Sequence, residues 1–455
     1  MVCRTHFLSY NPRNRLGDVR RRGQEPTGAG EWDKQGVGGL MGVSDRGAAR
    51  RSARRSSMLM GVLAIAAGIV IVMNLFKVSA SLSLLTADLG IGASAGSWLV
   101  TVCTVVAVVL VLPAGGLADR FGPKRVGLFG LACAALGSAV GALCTDIGPL
   151  LASRALEGVG YGLTGVVSPA IIAEAFPPER RGIPMAVWSC WMDLGMLAVL
   201  NVANLVIDPA VASSWKGLWW LCAALTAALA AVYALAVREG PRPEAGAGAG
   251  GSVLLTSLAG ALKSPATWVV SSVFLLYNVG VLSLLTLAPL YCQTQLGLGA
   301  AEANSYTSLL TIGMISGAFA TGLVLVRVRT LRGRIMLLAA SMALAAAVLG
   351  GAYVYTVDQI VPFMLLGGLA LSIMPAVGFT IVPETPASPA FAGAAIGLFM
   401  LMGNLAGIGT PLIGGLMESA PAVLSAILVA VSLTGAALSL LLLRLMGGSA
   451  PAQGA

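Results

Sequence analysis

Apolar residues in this chain run in stretches of twenty or more, broken by short polar turns, rather than in the alternation of a half-buried strand or the spaced stripe of a water-facing helix. A hydrocarbon layer about 30 Å thick takes roughly 20 apolar residues per helix. Segments of that length predict spans over 58–86, 95–117, 125–144, 147–176, 183–206, 216–237, 266–293, 302–326, 335–355, 359–383, 391–416 and 421–445. The expected class is therefore an all-α membrane protein of twelve transmembrane helices. Residues 1–57 are polar and Arg-rich and read as a disordered basic cytoplasmic tail. Residues 58–237 form a first six-helix bundle, 238–265 a cytoplasmic linker, 266–446 a second bundle and 447–455 a short tail. Within the linker, Gly246-Ala-Gly248-Ala-Gly-Gly251 matches a dinucleotide fingerprint in letters only, because no strand precedes it.

Composition sharpens this picture. Hydrophobic residues make up 57% of the 455 and charged ones 10%, against about 25% charged in a soluble domain. The formal charge of +9 would fit a nucleic-acid partner, but the basic residues sit in the wrong places for one. With a cytoplasmic N-terminus, 25 of the 28 Lys and Arg fall in cytoplasmic segments and only Lys216 in an outer loop. That asymmetry is the positive-inside pattern, and it places both termini in the cytoplasm of a multi-pass inner (plasma) membrane protein. Seven scattered cysteines and a single histidine, His6 in the tail, offer no metal cluster and no nucleophile-base pair within the spans. No cofactor, metal or enzymatic activity is expected.

Four ionisable residues fall deep in the spans: Lys77, Arg154, Glu157 and Asp193. Each costs about 2.5–3.5 kcal/mol to insert, so a functional role is the default reading. Lys77 and Arg154 would give positive potential to an anionic or weakly acidic solute, and Glu157 or Asp193 would exchange protons. Structural readings stand beside these: Arg154 and Glu157, three apart, can pair on one helix, and Lys77 can snorkel outward or lock onto Asp193. The second half has no buried charge and offers Tyr277, Asn278, Tyr291 and Asn404, of which the asparagines can equally be interhelical hydrogen bonds. Trp98, Trp215, Trp219 and Trp220 lie near outer helix ends as interfacial anchors, and Pro169 and Pro289 can bend their helices.

The halves read as weak repeats. At a shift of 210 residues Leu156 falls on Leu366, Gly158 on Gly368, Glu174 on Glu384 and Lys124 on Arg334. The second turn reads Gly115-Gly-Leu-Ala-Asp119-Arg120-Phe-Gly122-Pro-Lys124-Arg125, and helix four reads Arg154-Ala-Leu-Glu157-Gly158-Val-Gly160-Tyr-Gly162. Across 58–446 the chain resembles the major facilitator superfamily, whose signature loop and second motif these stretches match. The resemblance implies two pseudo-symmetric six-helix bundles, a secondary carrier working by alternating access on a small solute, and a conformational latch at Gly115, Asp119, Arg120, Gly122, Lys124 and Arg125. Helices one, four, seven and ten are expected to line the cavity. The counterpart turn, Arg327 to Arg334, keeps its basic residues but lacks the acid. Helix five lacks the glycine-proline motif of proton-driven antiporters in that family, while helix eleven carries a similar run, Gly403 to Pro411. Asn74-Leu-Phe-Lys77, Trp188-Ser-Cys-Trp191-Met-Asp193 and the helix-four stretch look similar to the cyanate and nitroimidazole permease branch. Drug or metabolite efflux is the alternative within transport. A membrane receptor without flux is a further one.

Overall fold

The computed structural model describes residues 38–176, 182–237, 259–328, 330–386, 388 and 391–447, with side chains from Ser57 onward except those of residues 112, 119, 182, 183, 186, 189 and 447. Residues 1–37, most of the linker (238–258) and the last eight residues, with the expectations placed on them, lie outside that set. The described residues are almost entirely helical. We number the spans α1 (Gly38–Leu89), α2 (Ala93–Phe121), α3 (Pro123–Leu143), α4 (Ile147–Ala175), α5 (Gly182–Ser189 and Trp191–Val206), α6 (Trp215–Ala236), α7 (Pro265–Thr294), α8 (Ala300–Arg327), α9 (Leu331–Gly350), α10 (Val357–Glu384), α11 (Ala392–Ser419) and α12 (Pro421–Gly447). Helix starts at Gly38 rather than near 58, so residues 38–57, expected to be disordered, are helical.

Eleven of these spans are long and apolar enough to cross a bilayer, and the continuous part of α5, Trp191–Val206, is shorter. The shortness has a local cause: α5 breaks at Cys190, whose N–H reaches only as far as Val187 O, at 3.2 Å. Turns on one face, here the first face, follow α1, α3, α5, α7, α9 and α11. Those on the opposite, second face follow α2, α4, α6, α8 and α10. The α2–α3 turn on the second face is made by Gly122 at φ +89°, a left-handed conformation that only glycine adopts without strain, and Pro123 then starts α3 at the position where its missing N–H is harmless.

Helices pack first within their own half: α3 against α4 and α6, α2 against α4, α9 against α12, α8 against α10, and α7 against α11 and α12. The repeat expected from sequence is visible in two equivalent crossings. A Cβ on Gly158 of α4 would lie 2.6 Å from Cys103 O of α2, and one on Gly368 of α10 would collide with Leu310 O of α8. Backbones approach this closely only where a side chain is absent, which is how helices gain contact when lipid tails are as apolar as leucine. Between the halves, α2 packs on α11 and α5 on α8.

This crossing gives a direct prediction. Gly368→Ala is expected to lower the unfolding midpoint in detergent, in line with an overpacking cost of about 1–3 kcal/mol, whereas Gly322→Ala, where a Cβ meets nothing within 4 Å, leaves it unchanged. Equal midpoints for the two variants would show that the α8–α10 contact carries no stability.

Candidate functional site

Three of the four charges deep in the spans form one cluster inside the first half. The ammonium of Lys77 (α1) donates to Glu157 Oε1 at 3.0 Å, to Ser138 Oγ (α3) at 2.6 Å and to Asn74 Oδ1 at 3.0 Å. It also lies 4.0 Å from the ring centroid of Trp219 (α6), a cation–π contact that gains strength away from water. The guanidinium of Arg154 pairs with Glu157 Oε2 and donates to three backbone carbonyls: Leu99 O at 2.9 Å, Asn74 O at 2.8 Å and Leu75 O at 3.2 Å. Lys77 and Arg154 are 0% exposed and Glu157 2%. The cluster thus ties α1, α2, α3, α4 and α6 together.

This placement corrects several sequence expectations. Lys77 and Arg154 do not present their charge to a solute here: all three N–H of Lys77 and four of the five of Arg154 go to Glu157, a hydroxyl and carbonyls of the same half. Both oxygens of Glu157 are taken by the two cations, so it has no free face on the gap between the halves. Trp215 and Trp219 are not interfacial anchors, both being fully buried. Trp219 covers the cluster, and Trp215 donates through Nε1 to Asp88 at 2.9 Å. Trp98 and Trp220, about half exposed, keep the anchor position.

The halves meet through a second polar system. Pro289 has no N–H to offer Leu285 O, and Ser79 of α1 takes that carbonyl at 2.8 Å and Thr286 O at 2.7 Å. Pro411 likewise leaves Gly407 O without its α-helical donor. The helix tightens to a three-ten turn over Ala406–Gly409, and Thr101 of α2 donates to Gly407 O at 2.9 Å. Asn201 and Asn204 of α5 donate to Ser308 and Ser305 of α8, each at 3.1 Å. Ser83 reaches Gln293 at 2.6 Å, and Asn304 bonds Ala80 O at 3.2 Å. At the first-face end, Glu418 of α11 accepts from Ala93 N, the first residue of α2, at 2.8 Å. An anion there complements the helix dipole, and α2 has no side-chain cap of its own.

The deepest of these links is Tyr161 Oη donating to Asn404 Oδ1 at 3.2 Å, at the midpoint of α4. Among the described residues no hydrogen bond joins the halves between this pair and the second face. Towards the second face, Cβ atoms built on Gly115 and Gly116 of α2, or on Gly393 and Gly397 of α11, meet nothing within 4 Å. Gly115, expected to allow close backbone approach, has no close neighbour in this conformation.

Around the Tyr161–Asn404 pair the middle layer is aromatic. Tyr161 stacks on Trp191 at 5.8 Å and Trp191 on Trp188 at 4.6 Å; on the other wall Phe274 stacks on Phe399 at 4.1 Å and on Tyr277 at 6.2 Å. Tyr277, expected to touch solute, is 2% exposed and donates to Leu371 O at 2.7 Å, which makes it a tie between α7 and α10. Tyr291 is also buried, its ring edge-on to Tyr353 and Tyr355 within the second half. Asn278 and Asn404 are half-buried and bond carbonyls of their own helices, Phe274 O and Met400 O. Asn278 faces Gly403 of α11, where a Cβ would lie 3.2 Å from its Nδ2. Asp193, half-buried on α5, has no ion-pair or hydrogen-bond partner among the described side chains. The contribution of Trp191 and Phe274 was missed from sequence, where isolated aromatics in apolar helices look like core.

Of the latch residues, Gly122 makes the turn, exposed Arg120 lies over the Phe121 ring at 5.2 Å, and Lys124 and Arg125 open α3; the side chain of Asp119 lies outside the described set. The counterpart turn does have an acid, though not within the loop. Arg334 holds Glu384 at the end of α10 in a two-pronged pair, 2.8 and 3.0 Å, and donates to Thr380 O at 3.0 Å. These are the two positions that the 210-residue shift matched to Lys124 and Glu174.

Fold and site together define a helical multi-pass membrane protein whose two halves enclose a mid-depth polar and aromatic layer. Comparison with known proteins agrees. The Major Facilitator Superfamily family model matches residues 58–411, and the chain belongs to that superfamily. It is 32% identical over 139 residues to the multidrug transporter mfsC of Aspergillus fumigatus, covering 30% of this chain and 26% of that one. It is 35% identical over 133 residues to Multidrug resistance protein 3 of Bacillus subtilis, covering 29% and 26%. These alignments span about a quarter of each relative's own length. A crystal structure of a nucleoside transporter NupG mutant superposes with a TM-score of 0.67 at 16% identity, over 85% of this chain and 99% of that one.

The charge cluster predicts an unequal response to mutation. Glu157→Gln leaves two cations facing each other without an anion and is expected to cost about 3–5 kcal/mol, read as a fall in the detergent unfolding midpoint. Adding Lys77→Met should recover a large part, because Arg154 keeps its three carbonyls. Arg334→Ala, at a half-exposed pair, is expected to cost about 1 kcal/mol or less. A Glu157→Gln midpoint no lower than that of Arg334→Ala would show that the cluster does not hold the first half together.

Proposed function

We propose that this chain is a secondary active carrier of the inner (plasma) membrane that moves a small solute by alternating access. One observation carries the reading: among the described residues, the hydrogen bonds between the halves run from the first face down to Tyr161–Asn404. A seal on one side of a mid-depth layer, with no such bond among the described residues on the other, is what rocking of two repeats about a central site requires. The basic turns lie on the second face, so by the positive-inside pattern that face and both termini are cytoplasmic, and the state described is open to the cytoplasm.

In this reading the Lys77–Glu157–Arg154 cluster is a fixed strut that lets the first half move as one body. The solute-facing set is Tyr161, Asp193, Asn278 and Asn404 with their aromatic neighbours. Of the two carboxyl groups expected to exchange protons, Asp193 is the one whose position supports that role. The turn from Gly115 to Arg125 is the surface that closes when the carrier turns outward, and Gly115 is bare because this is the opposite state. The kinship to cyanate and nitroimidazole permeases rests on stretches that here build the strut and one aromatic wall, so it carries no solute identity. Efflux of drugs or metabolites shares this geometry and is favoured by the names of the two relatives above.

Two variants test the cycle in proteoliposomes. A disulfide between Asn204→Cys and Ser305→Cys is expected to stop flux of any transported solute, and dithiothreitol to restore it. Gly115→Val is expected to leave the unfolding midpoint in place yet slow flux, by blocking closure on the cytoplasmic side. Undiminished flux through the oxidised double variant would rule out rocking about the central layer.

A further inference from the structure

The outer side of the second half carries a groove where the first half has a close crossing. In the first half α3 lies tight on α4: a Cβ on Gly160 would stand 2.7 Å from Ala134 Cβ, and one on Gly137 2.7 Å from Ser153 O. At the 210-residue shift, Gly160 becomes Ala370, Ala134 becomes Leu344, Gly137 becomes Ala347 and Ser153 becomes Phe363. Residues small enough to let helices touch are replaced by larger ones. Gly130 and Gly137 of α3 are buried, whereas their counterparts on α9, Ala340 and Ala347, are exposed. Leu344 and Ala370 instead line an open groove of about 420 Å³ between α8, α9 and α10, and a second stretch of about 470 Å³ shares both residues and continues towards the first face. Along α10 the two stretches run from Gln359 to Ile373, about 21 Å at 1.5 Å per residue.

At the second face the groove ends among arginines. Ala320 and Val324 line it on α8, and Arg327, seven residues beyond Ala320, falls within about 20° of Ala320 on the same side of the helix. Ile373 lines it on α10. Thr380, also seven residues on, gives its carbonyl to Arg334 of α9, which holds Glu384 as well. Arg334 thus bridges α9 and α10 just beyond the groove, and its Nε is buried without a hydrogen-bond partner. Arg327 and Arg332 are exposed. Glu384 is the one acid among the described residues of these three helix ends, so the positive charge there is in excess.

We infer that this groove binds an anionic phospholipid of the second-face leaflet, an acyl chain lying along α8, α9 and α10 and the phosphate held at Arg327 and the free Nε of Arg334. Hydrocarbon surrounds the groove, and a groove left unfilled forfeits dispersion contacts along its whole lining. Basic pockets between spans select acidic headgroups, whereas a zwitterionic headgroup brings its own cation to the same arginines and gains less. The inference goes beyond the transport reading and needs only that these helices span a membrane.

The test is equilibrium binding to the purified full chain in detergent, read by native mass spectrometry as one retained lipid. Dioleoyl phosphatidylglycerol is the anionic probe, dioleoyl phosphatidylcholine carries the same chains on a zwitterionic headgroup, and glycerol 3-phosphate supplies the phosphate without chains. The wild type is expected to hold phosphatidylglycerol more tightly than phosphatidylcholine and to retain no glycerol 3-phosphate. Arg327→Gln should weaken phosphatidylglycerol about fivefold, the effect of one basic residue beside an anionic headgroup, and change phosphatidylcholine less than about twofold. Ala320→Phe, which fills the groove, should weaken both lipids. Both positions are exposed, so the unfolding midpoint of each variant should match that of the wild type. Lys263→Gln, at an exposed basic residue elsewhere on the second face, should change neither lipid. Equal wild-type affinity for the two lipids, phosphatidylglycerol binding unchanged in Arg327→Gln or in Ala320→Phe, a loss in Lys263→Gln as large as that in Arg327→Gln, or glycerol 3-phosphate bound as tightly as phosphatidylglycerol overturns the assignment.

Discussion

A charge or backbone polar group at membrane depth finds no partner in hydrocarbon and has to find one within the protein. That constraint explains why Lys77, Arg154 and Glu157 converge from two helices onto one point, with Ser138, Asn74, Trp219 and three backbone carbonyls completing the shell. It also gives the cluster its mechanical meaning. Breaking it would leave an unpaired charge in low dielectric, so helices α1, α2, α3, α4 and α6 stay together while other contacts change.

The same rule, applied to backbone, explains the seam. Pro289 and Pro411 remove donors from α7 and α11, and the carbonyls they affect, Leu285 O and Gly407 O, are met by hydroxyls of Ser79 and Thr101 from the opposite half. Such bonds are modest, each worth about 0.5–1.5 kcal/mol net, and water entering an opening cleft can replace them. The strut is thus made of charges that cannot be rehydrated cheaply, and the seam of neutral groups that can. A carrier needs that division: rigid halves and a separable interface.

Asp193 is the deep charge that stays outside the cluster and has no ion-pair partner among the described side chains. Its neighbours Asn201 and Asn204 on the same side of α5 are satisfied by α8, so the gap at Asp193 is a local feature and not slack packing along the whole helix.

The apolar run lengths alone determined an all-helical chain of many membrane-spanning helices, because a bilayer sets helix length and any sequence that meets it shows this openly. The repeat at 210 residues was also legible, in Gly158 and Gly368 at the crossings and in Arg334 and Glu384 at the counterpart turn, since positions that must lack a side chain or carry a charge leave a mark in single residues. The sequence likewise named the four costly charges. It left open which of them pair: Arg154 with Glu157 follows from helical spacing, but Lys77 joining them at Glu157 under Trp219, and Asp193 staying out, depend on how α1, α4, α5 and α6 are rotated against one another. Only tertiary packing decided that, because the rotation of a helix among apolar neighbours is fixed by shape over many contacts and not by the residues of the helix itself.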